Sequence, residues 1–483
     1  MGLKQAWSAE STPIPFQLAM NALAEYTGKN TGVRRGAMAE LDFARAQMAM
    51  LFAFHILFAV AGMGMPVLMV IAECAHLRTR KPVYAELARR WGRGTAVLFA
   101  VGAVSGTVLS FELGLLWPRF MEFAGGIIGL PFALEGFAFF MEAIFLGIYL
   151  YGWEKVPPPL HLAAGCLVAL GGILSGVFVV AANAWMNSPA GFTLMAGRPA
   201  DVSPLAAMAN PAWKTEAIHM TLAAFAASGF AVAGIHAFRL LREPRNGFHR
   251  VALGIALSVG GVAAVLQPVS GDMSARFVAR NQPAKLAALE GQFRTQRGAP
   301  LRIGGVPDAA DETTRYAIEI PRGLSLLAFQ DLDAEVVGLS AFPRDERPNP
   351  VPVHLAFQVM VACGIALAAV GVAGAILGWK RRERLFSRPC LLAVVACGPL
   401  GLLAVESGWV VTELGRQPWV IHKVMRTSDA VTPVGGLALP FAFFTLLYLA
   451  LGVFAARLLH RELAESPFFT AGEGTSPTVS GEV

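Results

Sequence analysis

The sequence predicts an all-α integral membrane protein of about nine transmembrane helices. Three observations carry that prediction: the composition, the recurrence of apolar runs long enough to cross a bilayer, and basic residues gathered between those runs. Of 483 residues, 55% are hydrophobic and only 15% charged, against about 25% charged in soluble domains, and mean hydropathy is +0.55. Fifty glycines and 32 phenylalanines suit closely packed helices in lipid. The net charge of +6 is concentrated in short connections, which is the positive-inside pattern rather than a nucleic-acid-binding surface. Cys74, Cys166, Cys363, Cys390 and Cys397 lie mostly within or beside apolar runs, without CxxC spacing. They read as small buried residues, not as a disulfide framework.

Residues 1–40 are mixed and polar, without the apolar core and cleavage site of a signal peptide. They are expected to form a peripheral or poorly ordered extension. Spanning hydrocarbon takes roughly 20 apolar residues, and nine stretches qualify: 47–73, 95–116, 131–153, 160–185, 217–240, 251–271, 353–378, 389–414 and 434–459. The connections after the first, fifth and seventh hold six, four and five Lys or Arg. Those after the second and eighth hold one and three. The asymmetry puts the rich loops in the cytoplasm, the N-terminus outside and the C-terminus, with a tail over 461–483, inside. Lys29, Arg34 and Arg35 of the extension run against this bias. Residues 272–352 form a polar segment of a length that is rarely structureless, so it is expected to fold over the outer face or bind a ligand. It contains "PAKLAALEGQF" and closes with "RDERPNPVP". No internal repeat is visible.

A charged side chain at a helix centre costs about 2.5 to 3.5 kcal/mol on insertion scales, so each needs a reason. The candidates are His55, Glu135, Glu142, His219, Glu406 and Glu413, with the thioether of Met360. By the predicted topology they fall in the outer half of the bilayer. Taken singly, a histidine in such a place is as often a hydrogen-bonded core residue, Met360 is packing, and Glu413 pairs with Arg416 at a helix end. Imidazole, thioether and carboxylate at one depth are also axial-ligand chemistries of haem iron. Two histidines, one methionine and one glutamate could serve three haems, one of them with both axial positions filled. Seven residues is about two turns, so Glu135 and Glu142 share a face roughly 10 Å apart along the axis.

The segments "EGFAFFMEAIFLGIYLYGW", "VVAANAWMNSP", "KLAALEGQF", "AFQVMVACG" and "GWVVTELGRQPW" resemble subunit I of the cytochrome bd-type quinol oxidases, most closely the cyanide-insensitive branch, over residues 40 to 460. The resemblance implies that His219 and Met360 are the axial pair of a low-spin haem b, that His55 holds the oxygen-reducing haem, and that Glu413 holds a high-spin haem b, with Arg416 and Trp409 close by. It implies that Lys285 and Glu290 bind quinol in a periplasmic loop, their five-residue spacing keeping them on one side of a short helix. It implies that Glu142 and Ser175 form a proton route from the cytoplasm, with Glu135 a second relay or a sixth iron ligand. Three features depart from relatives. The quinol loop is short, Gln358 stands where some carry arginine, and Glu135 and Glu142 are one residue closer. Whether the oxygen site holds haem d or a third haem b stays open.

The function implied is a quinol:oxygen oxidoreductase of the bacterial inner membrane. It oxidises a quinol, expected to be ubiquinol, and reduces oxygen to water, electrogenically, without copper or proton pumping. The resemblance implies a second membrane subunit, a further single-span one, and lipid as partners, with no nucleic acid. The competing reading is an ion-coupled secondary transporter using buried Glu and His, which leaves Met360 and the "KLAALEGQF" loop unexplained. A bis-His cytochrome b needs paired histidines on two helices, whereas His219 and His236 stand alone, seventeen apart. A copper oxidase needs a dense His cluster that the spans lack.

Overall fold

The computed structural model describes residues 16–464 except 433, together with 467 and 469. Side chains are described from residue 40 onward, except those of 382 and 462–464. Fourteen helices follow in order: α1 (Phe16–Thr79), α2 (Pro82–Leu116), α3 (Pro118–Tyr151), α4 (Pro158–Asn187), α5 (Pro204–Met208), α6 (Trp213–Arg242), α7 (Gly247–Asn281), α8 (Pro283–Leu289), α9 (Gly323–Phe329), α10 (Pro350–Lys380), α11 (Arg388–Cys397), α12 (Leu400–Gly415), α13 (Thr427–Ala430) and α14 (Ala438–Ala464). Among the described residues nine spans are long and apolar enough to cross a membrane; seven cover the stretch expected from hydropathy, while the third ends at Tyr151, short of 153, and the ninth starts at Ala438, past 434. Proline opens α2, α3, α4 and α10 in the first turn, where its missing N–H costs nothing.

Several boundaries differ from expectation. Of the N-terminal extension, residues 1–15 lie outside the described residues, and 16–39 continue the first span as one helix. Helix α7 runs on to Asn281, ten residues past the boundary expected at 271. The eighth span is two helices, broken at Gly398 and Pro399, where proline cannot supply the helical N–H. The break meets α6 closely: a Cβ on Gly234 would lie 2.9 Å from Gly398 Cα. Most of the expected C-terminal tail lies outside the described residues. Of its described residues, Phe469 accepts a hydrogen bond from Gly247 N–H at 2.7 Å and Pro467 one from Asn246 Nδ2 at 3.3 Å.

Helices α1, α6 and α7 form the centre. Half of the most apolar window of α6 is buried, against 11% for α14 and 17% for α2 and α10. Side chains such as Phe111, Phe137 and Phe140 point outward, 65% to 75% exposed, as a surface facing hydrocarbon requires. A small antiparallel hairpin of β1 (Thr193–Met195) and β2 (Arg198–Ala200) follows α4. The segment between α7 and α10 is folded: β3 (Gln296–Arg297) pairs with β8 (Glu335–Val336), enclosing β4 (Leu301–Ile303) with β7 (Ile318–Ile320) and β5 (Val306–Asp308) with β6 (Thr313–Arg315). A last pair, β9 (Trp419–Ile421) with β10 (Met425–Arg426), follows α12.

Candidate functional site

A cavity of about 460 Å³ lies among α1 to α4 and the end of α12. Seven of the residues singled out from sequence line it: His55, Glu135, Glu142, Ser175, Trp409, Glu413 and Arg416. They come from α1, α3, α4 and the α12 terminus, so their shared depth follows from helix packing and not from sequence proximity. His55 Nδ1 is 2.9 Å from Ser105 Oγ. The neighbouring position on α2 is Gly106, where a Cβ would sit 2.8 Å from His55 Cε1; only glycine leaves the ring that space.

The carboxylates differ in how they are held. Ser175 donates to Glu135 at 3.0 Å, so the serine expected to act with Glu142 is bonded to the other acid. Glu142 is 4% exposed, and its Oε1 has no hydrogen-bond partner. Glu413 accepts from Asn183 Nδ2 at 2.7 Å and from Arg416 Nη2 at 2.5 Å. The ion pair and the place in the cavity therefore coexist. Arg416 is 3% exposed, yet its Nε and Nη1 have no partner, and neither has Trp409 Nε1. Buried donors left unpaired are costly, which marks them as aimed at a group the protein binds.

His219 and Met360 lie outside this cavity, on α6 and α10, both of which pack against α7 and α12. Glycines face both side chains. A Cβ on Gly271 would be 3.5 Å from His219 Cε1, and one on Gly408 3.2 Å from the Met360 sulfur. Glu406, also singled out, has a buried Oε1 without a partner but does not line the cavity.

In the folded segment after α7, Lys285 and Glu290 are each 5% exposed. Their side chains meet different partners. Lys285 Nζ donates to Asn187 Oδ1 at 3.4 Å and to Thr412 O at 3.5 Å. Burial lowers its ammonium to about 8, against the raising influence of the Glu216 carboxylate. Glu290 has a buried Oε2 without a partner. Burial pushes its carboxyl up to about 7, with Arg302 pulling the other way. Five residues turn a helix by about 140° beyond one full revolution, so the two face different surroundings. Gln358 ties α10 to this segment, accepting from Gly304 N–H at 2.9 Å and donating to Arg302 O at 3.2 Å. His354 adds contacts to Leu289 O at 2.7 Å and Gly304 O at 3.1 Å.

Sequence reasoning passed over several buried polar groups. Glu73 and His161 meet at 2.8 Å, both 2% exposed, and Gln47 donates to Glu112 at 2.8 Å. His236 and His249 touch through their Nδ1 atoms at 2.9 Å. Glu73 and Glu112 carry the same signal as Glu142, an acid in an apolar run. Ser105, Ser270 and Asn183 carry none.

The family model of cytochrome bd terminal oxidase subunit I matches residues 43–467. The chain belongs to that family. It is 39% identical over 421 residues to a putative cytochrome bd menaquinol oxidase subunit I of Bacillus subtilis strain 168, covering 86% of this chain and 94% of the relative. It is 32% identical over 442 residues to the cytochrome bd ubiquinol oxidase subunit 1 of the same strain, covering 88% and 94%. The solved bd oxidase of Geobacillus thermodenitrificans superposes with a TM-score of 0.85 at 37% identity, covering 89% of this chain and all of that one. Membership makes this a multi-pass membrane oxidoreductase subunit of a multi-subunit complex with haem cofactors, and it sets the transporter reading aside. The residues fit haem: imidazole, thioether and carboxylate are iron ligands, and Arg416 keeps two buried guanidinium nitrogens free for a carboxylate such as a propionate.

Proposed function

We propose that this subunit oxidises quinol and reduces oxygen to water, using three haems held by His219 with Met360, by His55 and by Glu413. The observation that carries the reading is the single cavity that gathers His55, both α3 glutamates, Glu413 and Arg416 from separate helices. Bound haem iron supplies the electron relay and the oxygen chemistry. In this account Met360 and His219 would hold a low-spin haem b, and Glu413 would hold a high-spin haem b. His55 serves the oxygen-site haem, of d or b type.

The protein's own groups do the rest. Asn183 and Arg416 hold Glu413 so that one orientation of its carboxylate prevails, and the free nitrogens of Arg416 balance anionic charge. Glu290, in its ionised form, takes a proton from the quinol hydroxyl, while Lys285 steadies the head group from the Asn187 side. The curated relatives are named for menaquinol and for ubiquinol, in keeping with recognition of the shared quinol head. Glu142 holds a proton near the oxygen site, and Glu135 with Ser175 forms the adjoining stage. With the N-terminus outside, these protons come from the cytoplasm while quinol releases its own at the outer face. The reaction is then electrogenic without pumping and without copper. The partners are a second membrane subunit and a small single-span one.

A reduced-minus-oxidised spectrum of the purified complex tests the reading. Haem b bands are expected, and the His219→Ala/Met360→Leu variant is expected to lose the low-spin signal. A far-red band assigns haem d to the His55 centre, and its absence a third haem b. Persistence of the low-spin signal in the double variant overturns the ligand assignment.

A further inference from the structure

We propose that Ser105 and Ser270 set the tautomers of His55 and His219, so that in both rings Nδ1 carries the proton and Nε2 the lone pair. The inference rests on the ligand reading above and adds the residues that make it work. A serine hydroxyl has one hydrogen, so the argument turns on where that hydrogen goes. Ser105 Oγ donates to the carbonyl of Gly102, three residues back on α2, at 3.1 Å. Toward His55 Nδ1, 2.9 Å away, it can then only accept. On α7, Ser270 Oγ donates to the carbonyl of Gln267, again three residues back, at 2.9 Å. It too can only accept from His219 Nδ1, at 3.0 Å. Each ring must therefore bear its hydrogen on Nδ1.

The amide nitrogen of Gln267 donates to the His219 carbonyl oxygen at 3.2 Å; it lies 3.1 Å from Nε2 and 3.3 Å from Nδ1, so it does not discriminate between the ring nitrogens and the tautomer rests on Ser270. Ser105 is 0% exposed and Ser270 3%, which keeps bulk water from competing for either hydroxyl. The Ser105 turn is anchored further by its backbone carbonyl, which accepts from Tyr448 Oη on α14 at 3.1 Å. The same device thus stands twice, on two helices unrelated in sequence.

A neutral imidazole binds a metal through the nitrogen without a hydrogen. Its other N–H, held by an acceptor, fixes ring orientation and raises ligand basicity. Ser105 and Ser270 are positioning residues, since they act on iron only through the imidazoles. With alanine in place of either serine, the ring loses the acceptor that selects its tautomer. A ring protonated on Nε2 cannot ligate.

The test uses the purified complex carrying Ser105→Ala, Ser105→Thr, Ser270→Ala and Ser270→Thr, each alone. Three quantities are read: haem per complex, the reduced-minus-oxidised spectrum, and the midpoint potential of the low-spin haem. The alanine variants should weaken retention of the corresponding haem about 10-fold or more. Where haem stays bound in Ser270→Ala, its potential should rise, because the ligand has become less basic. Threonine keeps the hydroxyl and should restore occupancy, spectrum and potential. Wild-type values in both alanine variants overturn the proposal, and so does equal loss with threonine and alanine, which assigns the effect to packing. His55→Ala and His219→Ala are measured alongside. If those two keep all haems, the ligand reading itself fails; if they lose haem while the serine variants are unchanged, only the serine proposal falls.

Discussion

Replacing Glu290 by glutamine separates its role as a proton acceptor from its role in packing. The carboxyl is 5% exposed, with one oxygen unpaired, and burial raises it from 4.5 to about 7. The native fold therefore favours the protonated form. Its contribution to stability is complete below the unfolded value, declines as pH rises from about 4.5, and levels off above about 7. At about 1.4 kcal/mol per unit, the full decline is about 3 kcal/mol. Glutamine is neutral at every pH, so Glu290→Gln should unfold at higher temperature than wild type at about pH 8 and lose that advantage at about pH 5. Catalysis should move the other way. Only the carboxylate accepts a proton, so wild-type quinol oxidation should climb nearly tenfold from about pH 6 to about pH 8. The variant should be slower by about 100-fold and flat over that range. The assays are quinol-dependent oxygen uptake and thermal unfolding of the same preparation at each pH. A Glu290→Gln enzyme that keeps the wild-type climb, or a stability difference independent of pH, refutes the reasoning.

Three further outcomes follow from particular contacts. Gly106→Ala places a Cβ 2.8 Å from His55 Cε1. It should displace the ring and lower oxygen-site haem content, read as haem per complex, with the low-spin band unchanged. Asn183→Ala removes the 2.7 Å donor to Glu413 and should weaken the haem held there about 10-fold, seen as loss during dilution or detergent washing. Glu73→Ala leaves His161, 2% exposed, without its carboxylate, and should destabilise the complex by about 3 to 5 kcal/mol; thermal unfolding within error of wild type contradicts this.

The nine spans were legible because an apolar run of bilayer length has few other readings. The break in the eighth at Gly398 and Pro399 was not read from the sequence, since hydropathy runs straight through it. His55, Glu135, Glu142 and Glu413 could be grouped because an acid or imidazole in hydrocarbon demands a reason. That rule also applies to Glu73 and Glu112, whose partners His161 and Gln47 sit on other segments. The pairing of Ser175 with Glu135, and the different partners of Lys285 and Glu290, depend on helix phase and on what the neighbouring helices present. Spacing along the chain does not carry that information. Asn183, Ser105 and Ser270 were invisible for a simpler reason: a single hydroxyl or amide in a span is common, and its meaning comes only from the group it faces.

The central claim is that distinct side chains of this one subunit hold distinct haems. Haem content and reduced-minus-oxidised spectra of the purified complex carrying His55→Ala, Glu413→Ala or His219→Ala test it most directly. The account predicts that each variant loses a different spectral component and the haem belonging to it, with the other two retained. A wild-type spectrum and haem content in any one of the three contradicts it.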